Sequence, residues 1–386
     1  MDLVRPLGLA GIDCAVVAEP NSQPLYSRFT RAALEWEGDF WDRTDQLVEA
    51  LLRFGSTQPE PPVLLYQQDA QLLLISRNRE RLAKVFRFVV PEATLVEDLV
   101  DKGRFQALAQ REGLPVPKAL LIDRAMGAAP IDLDLRFPVI IKPLTRRASW
   151  SAIGGSAKAL QVGSLQELRQ LWPPMVAAGL DLLVQEMVPG PESSIESYHV
   201  YVDQQGDIVA DFTGRKIRTF PISCGHSTAV MTTAAADVAE LGRDLVRRLY
   251  LRGVAKFDFK RGPDGRLLLF EINPRFNLWH HVGAVAGVNL PALVYADLAG
   301  LPRPATGPAR AGVCWCQPLR DWYAAQASGI TWPTWLRWAL SCEAKSVSWD
   351  DPLPYVMPLL WRSALLQWLR KKAPPGPTWL RMGLGG

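Results

Sequence analysis

Two short stretches late in the chain, Lys256-Phe257-Asp258-Phe259-Lys260 and Phe270-Glu271-Ile272-Asn273-Pro274-Arg275, constrain its fold more than any other feature. Apolar and polar residues alternate along each, so both read as strands. Between them, Gly262-Pro263-Asp264-Gly265 offers a fixed φ at Pro and a positive φ at Gly, which suits a tight reversal. A two-residue loop at Asp264-Gly265 sets Asp258 directly opposite Glu271. A four-residue loop makes them diagonal neighbours, about 7–8 Å apart. In either register Asp258, Glu271 and Asn273 share one face of the hairpin. Three hard oxygen ligands in an incomplete cage suit Mg²⁺, with Mn²⁺ as a second candidate, because such ions complete their shells with phosphate and water. An ordinary hairpin with a solvated polar face carries the same alternation.

Two earlier segments favour the metal. Phe137-Pro138-Val139-Ile140-Ile141-Lys142-Pro143 reads as a short buried strand ending in a lone lysine. Leu183-Val184-Gln185-Glu186-Met187-Val188-Pro189-Gly190 reads as a second apolar strand breaking into a Pro-Gly turn, where extended backbone can meet the edge of a purine. Taken in order, lysine strand, hinge strand and acidic hairpin resemble the ATP-grasp superfamily of ADP-forming ligases, over roughly residues 95–300. The resemblance implies an α/β fold of the α+β grasp type. An N-terminal parallel α/β domain (1–94) would be followed by the ATP-grasp domain (95–302) and a Trp-rich C-terminal extension (303–386).

Composition sets bounds on the rest. A chain of 386 residues with 48% hydrophobic content is long enough for two or three packed subdomains. A net charge of +4 with no long basic run gives no sign of nucleic-acid binding. Five scattered cysteines, among them Cys314-Trp315-Cys316 without a two-residue gap, read as free thiols in a reducing compartment. No leader pattern opens the chain and no apolar run approaches about 18 residues, so a cytoplasmic enzyme without a transmembrane segment is expected.

Along the N-terminal region, Asp13 to Ala18 and Pro62 to Tyr66 read as strands, and Glu37 to Phe54 and Asp69 to Phe86 as helices. Members of the superfamily usually begin with a strand and a Gly-rich turn. This chain begins inside what reads as the first helix, so either that strand is absent or the start was placed late. Asp101-Lys102 opens a helix that stops at Gly113-Leu114-Pro115. Ala148 to Gly155 is a small-residue loop suited to a flap over phosphates. Nine of the fourteen tryptophans lie from Trp315 onward. The segment Val356 to Lys372 reads as a broad apolar helix with a basic end, which could lie on a membrane surface or pack on the catalytic domain or a second subunit of a homodimer.

The resemblance also implies roles by position. Lys142 and Lys102 would contact the α- and β-phosphates of ATP. Glu186, Met187 and Val188 would form the adenine hinge, and Glu192 (with Glu196 as competitor) would bind the ribose hydroxyls. Lys216 would reach the terminal phosphate, and Arg275 would bridge that phosphate and a forming acyl phosphate. His280 and His281 lack the i, i+4 spacing of a zinc helix and fit either a substrate pocket or simple packing. The activity implied is ligation of a small carboxylic acid to an amine, as in D-aspartate ligases and carbamoyl-phosphate-synthase-like single-chain proteins. Carboxylation through carboxyphosphate, or a nucleotide-binding scaffold docked by its Trp-rich tail, are the alternatives. No Met-Lys-Met biotinylation motif is present.

Overall fold

The computed structural model describes residues 1–362 except 39, 42, 123–132, 145–149, 151, 152, 154–158, 223 and 224. The flap expected at Ala148 to Gly155 and the basic end of the last helix therefore lie largely outside the described residues. The chain divides into two compact units. One holds residues 3–38 with the described residues from Val347 onward; the other holds the described residues between 39 and 346.

In the first unit, helix Val4–Leu9 leads into β1 (Cys14–Ala18), which pairs in parallel with β2 (Thr30–Glu35). The opening helix and β1 agree with the sequence reading; β2 was not foreseen, its Thr-Arg-Ala-Ala-Leu-Glu run being a weak strand signal. Asp351, from the far end of the chain, accepts from the Ser27 hydroxyl (2.6 Å) and the Arg28 N–H (3.0 Å). Asp350 pairs with the Arg28 guanidinium at 2.9 Å. Helix Leu353–Arg362 follows.

The second unit carries two sheets. Before them, helix Thr44–Ser56 starts later than its pattern suggests. The strand expected at Pro62 to Tyr66 shrinks to a single bridge between Val63 and Arg87, and the helix after Asp69 is broken into Asp69–Arg77 and Arg79–Leu82. Asp101 caps helix Lys102–Arg111 as expected, its carboxylate accepting from the Arg104 N–H.

The smaller sheet orders β3 (Ala119–Ile122), β6 (Leu182–Glu186), β4 (Val139–Pro143) and β5 (Leu160–Val162), all antiparallel. Helix Leu165–Ala177 covers it through Leu168, Trp172 and Met175. Ser164 caps that helix, and Glu167 reaches back to the Gly163 N–H, one residue beyond the usual reciprocal partner.

The larger sheet orders β11 (Leu267–Asn273), β10 (Gly253–Arg261), β7 (Ile195–Val202), β8 (Ile208–Phe220), β9 (His226–Thr233), β12 (Cys314–Cys316) and β13 (Ala344–Lys345). Alternation, interrupted at Phe270, divides its two faces. Tyr198, Val200, Phe257, Phe259, Leu269 and Ile272 pack on one side with Val238 and Leu245 of helix Ala236–Arg248. The opposite parity places Ser197, His199, Lys256, Asp258, Glu271 and Asn273 on the other face.

The hairpin between β10 and β11 differs from both loops considered from the sequence. Arg261 pairs with Leu267, leaving a five-residue loop. Asp258 nevertheless faces Glu271 directly, because one extra residue, Phe270, bulges between the Phe259–Leu269 and Asp258–Glu271 pairs. Gly265 takes the positive φ of +79°. No single helix among the described residues is long and apolar enough to cross a membrane.

Candidate active site

The hairpin brings the three expected oxygen donors together. Asp258 and Glu271 are cross-strand partners, and Asn273 lies two residues beyond Glu271 on the same face. The Asn273 amide donates to Glu271 Oε1 at 3.1 Å. Asp258 is 3% exposed, yet its surroundings are polar: Ser197 Oγ donates to Oδ1 at 2.6 Å and Lys256 Nζ stands 2.5 Å from Oδ2. Burial alone would raise the Asp258 carboxyl, but Lys256 and Lys216 outweigh it and hold the group well below the usual carboxylate range. No member of the trio points into the apolar core, and the donor set fits a hard divalent ion.

Lys256 escaped the sequence reading, although its i, i+2 spacing from Asp258 placed both on one face. His199 escaped as well. It pairs in register with Lys256 and is wholly buried, stacked on Phe212 at 4.5 Å and flanked by Trp279 at 4.9 Å. Gly214 makes room for that indole, since a Cβ there would meet Trp279 at 2.3 Å. Neither ring nitrogen of His199 has a hydrogen-bond partner among the described residues. An unmet buried polar group costs about 1–3 kcal/mol. Burial first, then the charge of Lys256, pushes the His199 pKa well below its ordinary value, so the ring is neutral. His280 and His281 are buried in helix Trp279–Val285, and His280 Nδ1 accepts from the Asn277 N–H at 2.9 Å.

The smaller sheet supplies cations. Lys142 Nζ donates to Gln185 Oε1 at 3.2 Å and stands 5.8 Å from the Phe270 ring, so the end of β4 overhangs the bulge of the acidic hairpin. Lys102 Nζ donates to the Pro143 and Leu144 carbonyls at 2.6 and 3.3 Å, which brings it beside the same strand end. Lys216, on β8, acts electrostatically on Asp258. Arg275 is gripped on three sides: Nε donates to Asp69 Oδ1 (2.5 Å), and the two terminal nitrogens donate to Gln67 O (3.3 Å) and Asn273 Oδ1 (3.1 Å).

A cavity of about 830 Å³ runs along the hinge, lined by Lys118, Arg136, Glu186, Met187, Val188 and Leu268 among others. Glu186 is bound inside the protein: the Arg136 N–H and guanidinium donate to its two oxygens at 2.8–3.1 Å. The Met187 N–H donates to Pro138 O at 3.0 Å. Glu192 opens a short 3-10 turn just past Gly190. Its competitor Glu196 faces the other way and is held by Arg261 at 2.6 Å, which also pairs with Asp237.

Residues 179–316 match a family described as ATP-grasp in the biosynthetic pathway with Ter operon. The chain is 26% identical over 270 residues to a D-aspartate ligase of Enterococcus faecium (strain Aus0004), covering 67% of this chain and 64% of that protein. It is 24% identical over 218 residues to a D-alanine–D-alanine ligase of Pseudomonas putida (strain GB-1), covering 52% and 64%. The chain thus spans a little under two thirds of either ligase. Among solved structures, N5-carboxyaminoimidazole ribonucleotide synthetase in its ADP complex superposes with a TM-score of 0.61 at 16% identity, over 81% of this chain and 78% of that one. A biotin carboxylase from Campylobacter jejuni gives 0.60 at 14%, over 81% and 71%.

Proposed function

We propose that this chain, which resembles ATP-grasp proteins in fold and in sequence over residues 179–316, is an ADP-forming carboxylate–amine ligase of the cytoplasm, acting through an acyl phosphate. The observation that carries the reading is the approach of Lys142, on the smaller sheet, to Phe270, which adjoins the acidic trio of the larger sheet. A nucleotide held there has its base between the hinge and Leu268, and its phosphates between Lys142, Lys102 and the trio. Glu192 is left for the ribose hydroxyls because Glu196 is engaged by Arg261. A divalent ion held by Asp258, Glu271 and Asn273 would neutralise the phosphates and align the γ-phosphoryl group for attack.

The substrate carboxylate attacks the γ-phosphorus, ADP leaves, and an amine then displaces phosphate from the acyl phosphate to form an amide. Lys216, whose charge already bears on Asp258, would meet charge on the transferring group. Arg275 has five N–H donors, three of them directed at Asp69, Gln67 and Asn273; the rest remain for the phosphoryl oxygens. Similarity to D-aspartate and D-alanine–D-alanine ligases supports small amino-acid-like substrates.

The test is ADP release over paired amino acids and small carboxylic acids. With the correct acid alone, slow ADP release and trapping of a hydroxamate by hydroxylamine are expected. AMP and pyrophosphate as products would overturn the mechanism, and release dependent on bicarbonate would favour carboxyphosphate chemistry.

A further inference from the structure

Lys256 and His199 have no part in the reaction as described, yet both lie against its most buried carboxylate. The Lys256 ammonium stands 2.5 Å from Asp258 Oδ2, and its side chain is only 12% exposed. A cation there sits on an oxygen that a divalent ion needs. The same lysine is the register partner of His199, whose Cβ on an antiparallel pair lies about 4.5–5.5 Å from its own. The imidazole is neutral and fully enclosed, with both nitrogens lacking partners among the described residues. A buried acceptor without a donor, one strand from an ammonium whose carboxylate is required elsewhere, is a second seat for that ammonium.

We propose that Lys256 is a two-position cation: it neutralises Asp258 until a divalent ion takes that carboxylate, then turns to donate to the imidazole of His199. Lys256 is on this account a positioning residue, acting through Asp258. It keeps the carboxylate ionised and aimed before the metal arrives, and it makes metal entry dependent on the additional ligands that nucleotide phosphates provide. The proposal rests on the nucleotide reading given above.

Mn²⁺ binding followed by electron paramagnetic resonance, with and without ADP, tests it in the full-length protein. Wild type is expected to bind Mn²⁺ weakly without ADP and tightly with it. Lys256→Met removes the competing cation and should tighten nucleotide-free Mn²⁺ binding about tenfold or more. His199→Phe removes the second seat and should weaken Mn²⁺ binding several-fold, with metal-free ADP affinity unchanged. Opposite shifts in the two variants are not produced by a purely structural ion pair. Lys256→Arg, which preserves the charge, should stay near wild type and covers the case in which the Met variant misfolds. Unchanged or weaker Mn²⁺ binding in Lys256→Met, with ADP still bound, overturns the two-position cation and leaves the nucleotide site standing. Failure of every protein to bind ADP overturns the nucleotide reading and the exchange with it.

Discussion

Lys142 and Glu271 separate two kinds of contribution at the level of single residues. Lys142 reaches over Phe270 from the smaller sheet, so on the function proposed its charge would act on the nucleotide before and during transfer. Lys142→Ala should therefore weaken ADP binding and lower turnover together. Glu271→Gln keeps the shape and removes a negative oxygen, so calorimetry should still find ADP bound while ADP formation falls by about two orders of magnitude. Wild-type turnover in Glu271→Gln would remove it from the ligand set. The placement of Glu271 was legible because alternation and turn chemistry locate it without tertiary information, whereas the role of Lys142 came only from the family resemblance. Lys256 was not, because a lysine next to an aspartate on a strand looks like a solvated face until burial shows that both are enclosed.

Secondary elements were legible in proportion to their length and punctuation. The β7–β8 hairpin follows its turn chemistry and helix Ala236–Arg248 its apolar period, whereas helix Leu290–Ala299 is apolar nearly all round and shows no such period. The strands β12 and β13 have three and two residues, too short for any period, and owe their existence to tertiary pairing. Beside them lies a buried polar node. Asp321, fully enclosed in helix Pro318–Ala327, accepts from the Arg218 guanidinium (2.6 and 2.8 Å), Thr228 Oγ1 (2.8 Å) and Trp335 Nε1 (2.9 Å). Arg218 also stacks on Trp338 at 3.9 Å. The node ties β8 and β9 to the tryptophan-rich helices, so the Trp-rich stretch up to Trp338 is a packed continuation of the larger sheet. Asp321→Ala strands a buried guanidinium and should cost about 3–5 kcal/mol, read as a lower urea midpoint. An unchanged midpoint would deny the node its anchoring role.

For the whole molecule, the buried imidazoles make acid the vulnerable side of its stability. Burial lowers the His280 pKa from its ordinary 6.5 to about 4. Between those values an unfolded chain takes up a proton that the folded chain refuses, so stability falls as pH drops from about 6.5 to about 4. The loss from this group alone is about 3 kcal/mol. His199 acts in the same direction. Asp258, depressed in the folded state, adds a loss only as pH falls through the ordinary carboxylate range below about 4. Urea midpoints measured from pH 7 to pH 4 should fall steadily, and the fall should be shallower in His280→Gln. A flat profile would show that these rings protonate without unfolding. The division of the chain into two units was harder to foresee, because Asp351 meets Ser27 across more than three hundred residues and no local pattern announces such a contact.

Phe270 is, from the sheet's point of view, one residue too many. Strike it out and Leu269 would precede Glu271 directly. Phe259–Leu269 and Asp258–Glu271 would then be consecutive pairs of an unbroken ladder, with core and cleft sides alternating without fault. A chain shortened by that single codon should fold and keep its acidic trio, while losing the ring beneath Lys142 and with it the seat of that ammonium beside the proposed phosphate site. Folding can spare this residue; the proposed phosphate site cannot.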